Sequence, residues 1–123
     1  MSDKIYFQIY YGEGEIRYNS EGVDLSGFSS VTKEISKANE RSLGAVINWF
    51  HKLFNIDSDK FGLRISTVSA RVNRPTYLEL VPLRGTTIWK KFVEFTMQRG
   101  LPLVIFVEVY EKDGGSSEME VTP

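Results

Sequence analysis

Residues 101–110, LPLVIFVEVY, limit what this chain can become more than any other stretch. Val104, Ile105, Phe106, Val107, Val109 and Tyr110 are β-branched or aromatic and suit a pleated surface better than a helix. Ten residues fall well short of a membrane span. Interrupted only by Glu108, the run presents apolar side chains on both faces of an extended backbone. It predicts an interior strand, covered on both sides for much of its length, around which the other elements pack.

The rest of the chain supplies partners for such a strand. Lys4–Tyr11 alternates, with Ile5, Phe7, Ile9 and Tyr11 on one face and Lys4, Tyr6, Gln8 and Tyr10 on the other. Gly12-Glu13-Gly14 reads as a tight turn into a second strand at residues 15–18, which completes a hairpin. Residues 19–22 signal a further turn, and Val23-Asp24-Leu25 resumes an extended path. Residues 26–39 are ambiguous: Val31 and Ile35 stand four apart as on a helix, whereas the Ser and Gly of SGFSS favour an irregular or edge segment. Residues 41–55 carry an amphipathic stripe of Leu43, Val46, Ile47, Phe50, Leu53 and Phe54, with Ser42 as N-cap, Asn55 as stop and Trp49 at the margin. Strands follow at 61–68 and 77–81, separated by a turn at Asn73-Arg74-Pro75. Thr86 or Thr87 caps a second helix with Trp89, Phe92, Val93, Thr96 and Met97 on one stripe, ended by Gly100.

The expected order is strand, strand, helix, strand, strand, helix, strand. Two hairpins separated by helices, then a last strand, predict an α+β ubiquitin-like β-grasp roll with first and last strands parallel neighbours at the sheet centre. A ferredoxin-like sandwich is the rival, but it begins strand–helix–strand. At 123 residues with 41% hydrophobic content, the chain suits one domain over 1–112, with the small polar stretch 113–123 as a disordered tail. Fifteen basic against sixteen acidic residues leave a net charge of −1, which gives no overall electrostatic case for nucleic acid. There is no Cys, hence no disulfide framework or thiolate metal site, and the reading is a soluble intracellular domain without a membrane segment.

IYYGEGEIRYNSEGVDL near the start, SLGAVINWFHKLF on the first helix and LVPLRGTTIWKKFV leading into the second together resemble the Phox-and-Bem-like N-terminal domain of plant Mutator-type transposases and transposase-derived proteins. The matching features are Tyr11-Gly12 closing the first strand, Gly22-Val23-Asp24, and the Pro82-Leu83 turn, spanning residues 4–112. The resemblance implies one domain of a longer nuclear protein, serving oligomerisation or recruitment. In the wider family a lysine on the first strand meets an acidic cluster on a second copy. Here Lys4, or Lys33, would stand for the lysine, but residues 66–84 hold Arg71, Arg74 and Arg84 against a single acid, Glu79.

No set of residues marks an enzyme, a cofactor site or a metal site. His51 is the only histidine and is expected on the solvated flank of its helix. Asp57-Ser58-Asp59 lacks the further oxygens of a calcium loop and reads as a turn. Gly12-Glu13-Gly14 lacks the Lys-Ser/Thr of a phosphate loop and leads into a strand. Arg71, Arg74, Arg84, Lys90 and Lys91, with Tyr77 and Trp89 nearby, give an alternative reading as an accessory nucleic-acid surface. The favoured reading is a non-enzymatic protein-interaction module for self-association or a protein partner. Its candidate contact residues are Lys4, Tyr6, Tyr10, Phe106 and Tyr110 on the sheet and Trp49 and Trp89 at helix margins, since tyrosine and tryptophan supply large contact area at low entropic cost. The competing possibility is that residues 26–39 fold over that sheet face and bury it.

Overall fold

The computed structural model describes residues 4–71, 73–100 and 102–112, so the expected tail at 113–123 lies outside the described residues. Among them the chain runs β1 (Lys4–Tyr11), β2 (Arg17–Asn19), β3 (Gly22–Asp24), β4 (Ser29–Ser36), a 3-10 turn (Ala38–Glu40), α1 (Leu43–Leu53), β5 (Phe61–Arg71), β6 (Arg74–Pro82), α2 (Thr86–Arg99) and β7 (Leu103–Glu111). The strands form one mixed sheet in the order β2-β3-β6-β5-β7-β1-β4. The first and last strands are parallel neighbours, Phe7 facing Leu103 through Tyr10 facing Phe106. The β7 strand lies between β1 and β5, as expected of an interior strand, and Ile105, Phe106 and Val107 are buried, but the helices cover only one of its faces and Val109 is 46% exposed.

Both helices pack on one face of the sheet. The core joins Ile5, Phe7 and Ile9 of β1, Leu63 and Ile65 of β5, and Leu103, Ile105 and Val107 of β7 to Val46 and Phe50 of α1 and Trp89 and Val93 of α2. Phe7 is the point where the layers meet: the ring of Trp89 stands edge-on to it at 5.6 Å and that of Trp49 at 6.3 Å. The α1 stripe is placed as its spacing predicts, the Ser42 hydroxyl accepts the Ala45 N–H at 3.1 Å, and Asn55 adopts the left-handed conformation just past the helix. Thr86 does not cap its own helix; Gly85 occupies that position, and the Thr86 hydroxyl accepts the Leu43 N–H at 3.3 Å, tying the two helix N-termini together.

The expected first hairpin is not formed. The antiparallel neighbour of β1 is β4, paired from Lys4 with Ser36 through Tyr11 with Ser29. The segment expected to return along β1 instead crosses to the opposite edge, where β2 pairs with β3 and β3 meets β6. The physical reason is ladder length: β4 pairs with all eight residues of β1, whereas the three-residue β2 is exposed throughout and offers no apolar face. The β2–β3 ribbon is held by backbone approach. Gly22, at φ 112, lies so close to the Leu78 backbone that a Cβ there would overlap it, and the Leu78 N–H donates to the Glu21 carbonyl at 3.0 Å.

Candidate partner interface

The sheet face opposite the helices carries the alternate residues of each strand. Across β4, β1, β7 and β5, Tyr6 stands beside Glu34, Tyr10 beside Ser30 and Phe106, and Glu108 beside Arg64. Tyr6 is 51% exposed, and its hydroxyl hydrogen-bonds the Glu34 carboxylate, which raises its pKa above the ordinary tyrosine value. Lys4 reaches the same carboxylate at 3.7 Å, and Gln8 donates to the Tyr10 hydroxyl at 3.0 Å. Here lysine, tyrosines and glutamate form one polar strip along β1 and β4.

The other sheet residues are engaged within the chain. Phe106 is buried because Phe28 folds back and sets its ring at 4.9 Å. Here the 26–39 segment covers the face, while its strand lies beside β1, not over it. The Tyr110 ring lies across Gly62, where a Cβ would overlap it, and beneath the Arg64 guanidinium at 4.2 Å. A glycine in an interior strand thus marks the seat of an aromatic ring.

Two of the expected contact residues are corrected by the structure. Trp89 is fully buried, and its indole N–H donates to the Arg41 carbonyl at 3.1 Å, so it belongs to the core and is closed to a partner. Phe106 is likewise withdrawn under Phe28. Trp49 remains half-buried between Phe7 and Phe50. His51 is also corrected: it is buried, and its Nδ1–H donates to the Ile56 carbonyl at 3.2 Å while its own carbonyl accepts the Ile56 N–H at 2.8 Å. A carbonyl oxygen can only accept, so this contact requires a proton on Nδ1. Its position four residues after Ile47 and eight after Leu43 was the overlooked sign that it lies on the buried side.

The basic set divides. Arg71 and Arg74 both stack on Tyr77, at 4.6 and 4.9 Å, and Arg71 is paired with Glu79 at 3.1 Å. The single acid of residues 66–84 is therefore matched by a neighbour on its own hairpin. Asp57 accepts the Asp59 N–H at 2.9 Å, the turn expected of that carboxylate pair. Phe95, 53% exposed on α2 with Arg99 at 5.1 Å over its ring, was missed because it falls off the helix's apolar stripe.

The family model described as Domain of unknown function (DUF1979) matches residues 1–58, the part of the chain from β1 through α1. No curated protein and no solved structure matches the chain.

Proposed function

We propose that this chain is a non-enzymatic protein-interaction module of the ubiquitin-like roll type, serving self-association or recruitment in a transposase-like, nuclear protein. The roll reading is supported by five strands in the order β4-β1-β7-β5-β6, with parallel β1 and β7 at the centre and helices after β4 and β6. The β2–β3 ribbon is then an addition at the far edge. The observation that carries the interaction reading is the sheet face that no helix covers among the described residues, where Tyr6 and Tyr10 offer aromatic surface while Lys4 and Glu79 are already engaged by Glu34 and Arg71. A lysine–acid clamp between copies would have to break both of these contacts. Association through apolar and aromatic surface needs neither.

Changing Tyr6 and Tyr10 together to Ser tests this: association or partner binding weakens while the circular dichroism spectrum is kept. Unchanged association and unchanged partner binding in the folded double variant contradict a role for this sheet face. The nucleic-acid reading retains the Arg71–Tyr77–Arg74 stack but loses Trp89 as a stacking platform. A phosphate-contacting surface gives binding that weakens steeply with salt. Titration of single- and double-stranded DNA at two salt concentrations separates the readings, the interaction module showing no such binding.

A further inference from the structure

The two edges of the sheet are unequal. At one, β2 is three residues long and followed directly by a turn, a short edge of the kind that resists pairing. At the other, β4 is eight residues long, its register with β1 runs unbroken, and it contains no proline. Among the described residues no strand lies beyond it. The Arg41 Nε–H donates to the Ser36 carbonyl at 3.2 Å and closes one end, which leaves residues 29–35 as the open backbone. The helix-side margin of this edge is apolar: Ile35 and Trp49, both half-buried, line a cavity of about 70 Å3 with Phe7 and Val46, and Val31 is half-buried against the same core.

Resting on the interaction-module reading above, we propose that β4 pairs antiparallel with β4 of a second copy of this chain, across a two-fold axis normal to the sheet at Thr32. The choice of occupant and register follows from charge. A two-fold axis normal to the sheet keeps both helical layers on one side, so facing residues have the same parity. Two registers then preserve nearly all of the overlap. With Lys33 on the axis, two ammonium groups face each other, which is destabilising. With Thr32 on the axis, two threonines face each other, Ser30 faces Glu34 and Val31 faces Lys33, so each charge meets a neutral side chain and each Ser30 hydroxyl donates to a carboxylate. The strand is self-complementary in that register, and the paired copies double the seven-stranded sheet and bring both Tyr6–Tyr10 faces to the same side.

The chain has no cysteine, so single replacements report the register directly. Residues facing each other across antiparallel strands stand about 4.5–5.5 Å apart at Cα, within disulfide reach. Under an oxidised glutathione buffer the intact chain carrying Thr32→Cys cross-links to a dimer. Ser30→Cys alone and Glu34→Cys alone do not, because like positions there lie more than about 12 Å apart along the strands. An equal mixture of the Ser30→Cys and Glu34→Cys chains does cross-link, which covers the case in which Thr32→Cys perturbs the strand. Preferential cross-linking of Lys33→Cys overturns the register. A sedimenting dimer in which none of these positions cross-links overturns the edge pairing but leaves self-association standing. A monomer without cross-linking overturns both the pairing and self-association, leaving a heterologous partner to the module reading.

Discussion

His51 and Phe50 show how adjacent residues on one helix carry different kinds of stability. Phe50 is fully buried between the helix and the sheet, and Phe50→Ala is expected to cost about 3–5 kcal/mol in a denaturant melt. A loss under about 1 kcal/mol contradicts its place in the core. His51 contributes through its hydrogen bond to Ile56, and His51→Ala is expected to cost about 1–2 kcal/mol, with earlier hydrogen exchange at the Ile56 N–H. An unchanged melt and unchanged exchange return the ring to the solvated role that its polarity suggested. Tyr6 gives a pH prediction. Its bond to Glu34 raises the folded-state pKa, so its contribution is complete below the ordinary tyrosine value and is lost as pH rises through the raised one. The Tyr6 ring-carbon resonance is expected to titrate above about pH 10 and to fall back toward it in Glu34→Gln. No difference between the two proteins removes Glu34 from the account.

At the scale of elements, the parts most legible in the sequence were those with a single unambiguous period. The α1 stripe, the alternating β1 and the apolar β7 all lie where their patterns placed them. The β4 strand was obscured because Val31 and Ile35, four residues apart, fit a helical turn and a strand face equally well, and Lys33 between them conceals the alternation. The first hairpin was misread because a glycine turn specifies a change of direction but not which strand receives the returning chain. Of the candidate interface, Tyr6 and Tyr10 were legible from alternation alone. Glu34 and Phe28 were not, since their placement depends on the β4 register. Gly22 bears the weight of the β2–β3 ribbon. Gly22→Ala forces a Cβ onto the Leu78 backbone at a positive φ, so the ribbon is expected to leave β6 while the main core persists. Faster exchange of the Leu78 N–H with the β1 and β7 amides still protected is the expected result. Uniform loss of protection contradicts a local role for the ribbon.

At the scale of the whole molecule, the proposed association runs through the sheet without a lysine–acid clamp. Lys4 and Glu34 are about half exposed, at 54% and 45% of their side-chain surface, so their pairing is screened and contributes little to folding. Burial of aromatic and apolar surface contributes roughly 25 cal/mol per Å2 and does not weaken as exposed ion pairs do in moderate salt. Sedimentation equilibrium of the chain at low ionic strength and at about 0.5 M salt, where exposed charges are screened to a few ångströms, measures the difference. The expected result is a dimer whose dissociation constant is nearly the same in both conditions and is unaffected by Lys4→Ala. A dimer that dissociates in high salt and is abolished by Lys4→Ala contradicts it.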